Sequence, residues 1–341
     1  MNEWSLLQAS ILLFLLGAAL SLLVSTSFKQ ASIHISGGMG VLGCLLAAAS
    51  GLLTLVHQSS YTLTIPGFHL PGLLLPGLSP ALSVDPLAAF FILLIGMAGL
   101  PISLYSIGYL KAEYQEQPVG ILGALYHLFM LSMLLVILAS DALTFLIFWE
   151  CMALLSFCLV IFDVQSLVSR QAGFTYLLMT HIGTAFLFIM YLAFAQQSGQ
   201  LTFASFAAHG GQLAPALKTM LFGCAVIGFG AKAGLIPLHI WLPEAHPAAP
   251  SHVSALMSGV MLKTAVYGFL RCLFNFLSPF PEWWGIALAS IALVTALLGI
   301  TYASVENDFK RLLAYSSIEN MGLIFFAIGL SMIFTTHSGQ P

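Results

Sequence analysis

The chain has 341 residues, of which 60% are hydrophobic and only 6% charged, with nine Lys and Arg against twelve Asp and Glu. Soluble domains run at about one quarter charged residues, so this composition excludes a soluble fold and reads as an integral membrane protein, beside which a net charge of −3 carries little weight. The basic residues are scattered and form no patch, which excludes a nucleic-acid partner.

The opening "MNEWSLLQAS" has an acid and no basic run, so the first apolar stretch reads as a retained helix rather than a cleaved signal. A spanning helix needs roughly 20 apolar residues. That rule gives about ten segments, centred near residues 15, 46, 97, 129, 152, 182, 226, 264, 295 and 323. Lipid offers no water to free backbone groups, so these are helices rather than open strands. The expected fold is all-α, a single polytopic transmembrane bundle of about ten helices with its seventh helix broken. The exception is 58–84, "QSSYTLTIPGFHLPGLLLPGLSPALSV", where prolines and glycines predict a loop with a short hairpin on the membrane surface.

Basic residues near helix ends set the orientation. Alternating loops places Lys29, Lys111, Arg170, Lys310 and Arg311 on one face, taken as cytoplasmic, and Lys218 and Arg271 on the other. The N-terminus is then outside, in a bacterial-type inner membrane. Cys44, Cys151, Cys158, Cys224 and Cys272 all fall within apolar segments without metal-ligand spacing, and read as small core residues rather than a metal site.

Four ionisable residues fall deep within these segments. At about 1.5 Å of helix per residue, Glu150 lies about 12 Å beyond a helix start near Ala142 and His181 about 16 Å past Arg170. Lys263 lies about 16 Å past His252, and Lys232 about 14 Å before Trp241. In a hydrocarbon layer about 30 Å thick, all four approach the midplane. A charge there costs roughly 2.5–3.5 kcal/mol on insertion scales, so this set predicts a polar layer suited to proton relay rather than structural decoration.

The helix carrying Lys232 contains its own interruption. In "GFGAKAGLIPLHIWLPEAH" (228–246), Pro237 cannot donate a backbone hydrogen bond and would crowd the carbonyl of Ala233. Gly228, Gly230 and Gly234 permit unusual backbone angles and close approach. Broken helices at the midplane recur at the ion sites of transporters, and the break predicts that backbone carbonyls and water solvate Lys232. His239, Glu244, His246 and His252 follow among prolines; their spacing fits no HExxH-type metal site, and they read as a proton intake or coupling cluster. Asp85 and Asp141 read as helix N-caps. The small residues Ala255 with Gly259, and Ser254 with Ser258, predict close helix packing.

Four stretches, "DPLAAFF" (85–91), "FWECMALLSF" (148–157), "GFGAKAGLIPLHIWLPEAHPAAPSHVSALMSGVMLKTAVYG" (228–268) and "DFKRLLAYSSIENMG" (308–322), carry a family resemblance over nearly the whole chain. The sequence resembles the proton-translocating antiporter-like membrane subunits of complex I, Mrp-type antiporters and membrane-bound hydrogenases. Within that family "AHPAAPSHVSALMSGVMLK" and "SSIEN" look most like the hydrogenase-4 and formate hydrogenlyase members.

The resemblance implies that Glu150 pairs with Lys232 of the broken helix and that Lys263 passes protons sideways, with His181 a weaker transfer. It also implies no cofactor on this chain and no redox chemistry of its own. Iron–sulfur and nickel–iron centres would belong to a peripheral redox arm, which with other membrane subunits makes up the expected partners. By the same likeness 1–115 holds three N-terminal helices, 116–278 a complete five-helix repeat for proton translocation, and 279–341 the start of a second repeat. The family has about fourteen core helices, so the chain is expected to be a fragment or to rely on a second chain for the missing C-terminal helices. Two other functions compete: a cation/proton antiporter driven by ion gradients alone, and a scaffold without transport.

Overall fold

The structure, a computed structural model, describes residues 2–25, 28–64, 81–114 and 117–338. Ten of its helical spans are long and apolar enough to cross a membrane, and they coincide with the ten segments expected from hydropathy. The chain is a multi-pass membrane protein.

The first half runs α1 (Glu3–Ser25), α2 (Lys29–His57), strands β1 (Tyr61–Thr64) and β2 (Ala81–Val84), then α3 (Pro86–Glu113), α4 (Val119–Leu138) and α5 (Ala142–Val160). It continues with α6 (Leu167–Ser198), a short α7 (Phe203–Gly210) and α8 (Pro215–Ala233). Beyond a turn, α9 (Leu242–Ala248) completes the broken seventh span. The eighth span, Ser251–Phe276, is α10 (Ser251–Leu256) and α11 (Leu262–Leu270), with π-helical turns at Met257–Met261 and Arg271–Phe276. Helices α12 (Glu282–Val305) and α13 (Phe309–Ser338) close the described chain.

Helix α4 is apolar all round and nearly all of its residues are buried, as expected of a helix at a bundle centre. It touches α1, α2, α3, α5 and α11. Between the peripheral helices, small residues let backbones meet. A methyl group built at Gly96 of α3 would stand 2.5 Å from the Cys44 carbonyl of α2, and one at Gly322 of α13 would stand 2.5 Å from the Ala296 nitrogen of α12. In lipid, where apolar burial drives little helix association, such close van der Waals contact holds the bundle.

The hairpin expected in 58–84 is present as β1 and β2, antiparallel with Tyr61 opposite Val84 and Thr64 opposite Ala81. Residues 65–80 of that stretch lie outside the described residues. Asp85 and Asp141 cap α3 and α5, accepting from the backbone N–H of Ala88 at 2.9 Å and Thr144 at 2.8 Å. Asp85 also forms a bidentate pair with Arg271, which carries α3 onto the far end of the eighth span.

The basic residues sort by face as the alternation of loops requires. Lys29 and Lys111 line one cavity, and Arg170 and Arg311 line another. Tyr109, near the end of α3, accepts from the Ser251 backbone N–H at 3.3 Å, and Lys310 reaches the Ala249 carbonyl at 2.9 Å, which joins these ends at one face. At the opposite end Lys218 donates to the Pro279 carbonyl at 3.0 Å.

The expected packing stripe at the start of the eighth span differs. The backbone leaves the α-helical register there for a π turn, so a spacing of four no longer keeps residues on one face. Ala255 is exposed, and a methyl group at Gly259 would meet nothing closer than Ala98 at 4.0 Å. Ser254 folds back onto the His246 carbonyl at 2.7 Å, whereas Ser258 does cross, meeting Ser317 of α13 at 2.7 Å.

Candidate functional site

Helix α8 stops at Ala233 because Gly234 turns into the left-handed region at φ 81°. The N–H groups of Gly234 and Leu235 both donate to the Gly230 carbonyl at 2.9 Å, a glycine C-cap. Gly230 and Gly234 therefore make the break. Pro237 lies three residues beyond the cap and is exposed, so its ring does not end the helix by crowding Ala233; it shapes the turn leading to α9. That turn is tied to α12 by the Ile236 N–H, which donates to Thr295 Oγ at 3.1 Å.

The cap places Lys232 in the last turn of α8, with 1% of its surface exposed. Its Nζ donates to Tyr176 Oη of α6 at 2.8 Å. Tyr176 Oη is in turn 2.5 Å from Ser156 Oγ of α5. The ammonium also faces two rings, at 5.1 Å from the centroid of Tyr176 and 5.9 Å from that of Trp149, within reach of a cation–π contact. Trp241, at the start of α9, packs against Tyr176 with the rings tilted by 59° and centroids 4.9 Å apart, and donates from Nε1 to the Ala231 carbonyl at 2.8 Å. Two aromatic faces and one phenol hydroxyl, rather than backbone carbonyls, meet the Lys232 amine.

Among the described residues no ion pair joins Glu150 to Lys232. Successive residues on a helix point about 100° apart, and it is Trp149 of α5 that faces Lys232. Glu150, one position on, is partly exposed and lies 3.5 Å from His181 Nε2 of α6, whose imidazole is half exposed. The other carboxylate oxygen, Oε1, is buried with no hydrogen-bond partner among the described residues.

Lys263 occupies a separate place. Its Nζ donates to the Ser258 carbonyl at 2.8 Å, one of the carbonyls that the π turn displaces from regular pairing. Ser258 also meets Ser317, so Lys263 sits where the eighth span contacts α13.

The four residues read as one intake cluster do not converge. His246 and His252 are buried, with 3% and 1% of their surface exposed, and His252 packs against the rings of Tyr109 and Tyr126. Among the described residues one ring nitrogen of each has no hydrogen-bond partner, and the same holds for one of the half-buried His239. Glu244 instead faces outward into the cavity shared with Arg170 and Arg311. Lys310, read from sequence only as an orientation signal, caps the end of α9 by donating to the carbonyls of Ala249 at 2.9 Å and Pro247 at 3.4 Å.

Sequence reasoning missed Tyr176, Ser156, Trp149 and Trp241 as members of the site. Tyr176 and Ser156 sit in stretches with no special spacing, so only the packing of α5, α6 and α8 identifies them. Trp241 had a signal, its position just past the break, but served only as the point from which the depth of Lys232 was measured.

Comparison with known proteins matches these elements to one family. The sequence model described as the transmembrane region of NADH:quinone oxidoreductase/Mrp antiporter proteins matches residues 139–338. A second, the N-terminal region of complex I chain 5, matches residues 77–117. Hydrogenase-4 component B of Escherichia coli (strain K12) is 38% identical over 335 residues, covering 98% of this chain and 48% of the relative. Formate hydrogenlyase subunit 3 of the same organism is 32% identical over 336 residues, covering 96% of this chain and 50% of the relative. The chain thus spans about half the length of these curated relatives. Among solved structures, the Mrp complex from Dietzia sp. superposes with a TM-score of 0.80 at 25% identity, covering 95% of this chain and 34% of that one. An archaeal membrane-bound sulfane sulfur reductase gives 0.79 at 22% identity, covering 95% and 64%, and bears on the fold alone. The chain belongs to the NADH:quinone oxidoreductase/Mrp antiporter family of membrane subunits.

Proposed function

We propose that the chain is a proton-translocating membrane subunit of a redox complex of the hydrogenase-4 or formate hydrogenlyase type. The observation that carries this reading is Lys232: a buried amine beside a helix break, held by the Tyr176 phenol and facing the rings of Tyr176 and Trp149, with no carboxylate within ion-pair distance among the described residues. An intramembrane amine that is costly to charge is a functional group by default, and a break beside it gives the helix two arrangements through which a proton is taken up and released.

The relay runs Glu150, Lys232, Lys263, with His181 holding the outer carboxylate. Glu150 meets protons arriving at the partly exposed edge, Lys232 holds them in the aromatic cage, and Lys263 passes them toward α13. Residues 116–278 act as one translocation unit and 279–341 open a second. The redox centres, iron–sulfur and nickel–iron, belong to partner subunits, and the site lies in the inner membrane of a bacterium-type cell.

The test is Lys232→Ala in the assembled complex, with formate- or hydrogen-linked proton movement read from a pH-sensitive dye in membrane vesicles. Assembly without coupled proton movement is the expected outcome. Wild-type pumping by this variant defeats the assignment. Similarity to the Mrp complex favours one other reading, gradient-driven cation/proton exchange. That reading predicts sodium/proton exchange in vesicles devoid of hydrogenase and dehydrogenase subunits.

A further inference from the structure

At the face bearing Lys310 and Arg311, a cavity of 780 Å³ opens between the start of α6, the short helix α9 and the start of α13. That volume falls within the roughly 300–1,000 Å³ of small-molecule sites. Its lining is mixed in a particular way. Arg170 and Gln171 stand in the first turn of α6, Glu244 projects from α9, and Arg311 comes from α13. Leu167, Val168 and Phe174, also lining it, are exposed to 60%, 69% and 68%, so the cavity opens sideways onto an apolar surface at the level of the membrane.

The charges in this cavity are not matched to one another. Arg311 is engaged by Glu306, Nε to Oε2 at 3.3 Å. Among the described residues the guanidinium of Arg170 and the carboxylate of Glu244 have neither an ion pair nor a hydrogen bond. One unpaired cation and one unpaired anion therefore face a single space at the head-group level. The start of the 32-residue helix α6 adds its positive dipole end beside Arg170, although Ser166 Oγ already accepts the Ser169 N–H at 3.3 Å.

We propose that this cavity binds the head group of a zwitterionic aminophospholipid of the phosphatidylethanolamine class. The phosphodiester accepts hydrogen bonds from Arg170, with Gln171 and Arg311 at its rim. The primary ammonium donates to Glu244, and the acyl chains leave along Leu167, Val168 and Phe174. A dianionic head group leaves Glu244 facing a like charge. A quaternary choline has no N–H to give it, and inorganic phosphate leaves the apolar wall uncovered. The proposal is independent of which redox partner drives the subunit. It takes the Arg170 face as cytoplasmic only in naming the leaflet that supplies the lipid.

The experiment is native mass spectrometry of the purified complex containing this chain. The complex is delipidated in mild detergent and titrated separately with dioleoyl-phosphatidylethanolamine, -phosphatidylcholine, -phosphatidylglycerol and inorganic phosphate. The expected result is one phosphatidylethanolamine retained per chain at least tenfold more tightly than phosphatidylcholine, with both Arg170→Gln and Glu244→Gln losing that preference. The glutamate variant is expected to gain on phosphatidylglycerol. Equal retention of ethanolamine and choline lipids, tighter wild-type binding of phosphatidylglycerol, or displacement of the lipid by millimolar inorganic phosphate each overturns it. Should either variant fail to assemble, the ranking of the three lipids on the wild-type complex still decides.

Discussion

Lys232 on the broken helix and Tyr176 on α6 form a hydrogen bond of 2.8 Å, and that phenol is the single side chain that hydrogen-bonds to the amine among the described residues. The pairing is neutral on one side and aromatic on the others. It therefore holds the amine in position without fixing its charge, which suits a group that must bind and release a proton in each cycle.

The first prediction follows from this contact. Tyr176→Phe keeps the ring that packs against Trp241 and removes only the hydroxyl. A hydrogen bond to a charged group is worth about 1.5–3 kcal/mol, so the coupled proton-transfer rate is expected to fall about tenfold or more while the complex stays assembled. Ser156→Ala, which touches the amine only through Tyr176, is expected to have a smaller effect. A vesicle pumping assay on both variants checks this; unchanged pumping in Tyr176→Phe reduces the phenol to a packing role.

Much of this architecture is legible in the chain itself, and the reasons are local. Ten spans follow from runs of apolar residues, because the bilayer thickness sets one length for all of them. The break after Lys232 follows from Gly234, whose conformation needs no partner to be anticipated. What the sequence hides is direction around a helix. Nothing near position 150 says that Trp149 rather than Glu150 faces Lys232, since every residue around it is apolar and no amphipathic stripe marks an inside. The small residues of the eighth span misled for a related reason: a π turn shifts the register on which any spacing argument rests. Helix α7 escaped a rule based on length, being only eight residues long.

The second prediction separates backbone strain from packing at the break. Gly199 and Gly234 both have positive φ, 69° and 81°. A side chain at Gly199 would meet open space, whereas one at Gly234 would stand 2.3 Å from Leu242 Cδ1. Left-handed backbone costs a non-glycine residue roughly 1–2 kcal/mol, so Gly199→Ala is expected to destabilise by about that amount. Gly234→Ala is expected to exceed it and to abolish transport, because Leu242 at the start of α9 cannot keep its place against the cap of α8. Thermal unfolding of the two purified variants makes the comparison, and equal losses would show that the Leu242 contact is dispensable.

The third prediction concerns Asp85 and Arg271. Burial pushes the Asp85 carboxyl up, but the bonds and charge of Arg271, with the Ala88 N–H, outweigh it and hold the group below the usual carboxylate range. A lowered carboxyl contributes stability that is present above its unfolded value, about 3.9, and is lost as pH falls through its lower folded value. The wild-type advantage over Asp85→Asn is therefore expected to be flat from neutral pH down to about pH 4 and to vanish in stronger acid. The Asp85 side chain is 36% exposed, so breaking the pair on one side should cost less than the about 3–5 kcal/mol of a fully buried pair, and Asp85→Asn combined with Arg271→Met should recover part of that loss. Melting temperatures of the three forms across pH provide the check; a double variant as weak as the sum of the singles argues against a direct pair.

The last prediction tests whether α13 controls the broken helix. Lys310 reaches from the start of α13 to the carbonyls of Pro247 and Ala249, the open end of α9. Ser254 secures the His246 carbonyl of the same turn at 2.7 Å. A cation at a helix C-terminus is worth roughly 0.3–1 kcal/mol at an exposed site and up to about 2 when partly buried, so Lys310→Met should lower stability only modestly. Its effect on transport should be larger, because α9 carries Glu244 and His246 and, through Trp241 at its start, the wall against Tyr176. Lys310→Arg keeps the charge and the donors and is expected to restore most of the rate. If the methionine variant pumps normally while the arginine variant does not, the side chain matters by its shape, and α9 is positioned by Ser254 and the prolines alone.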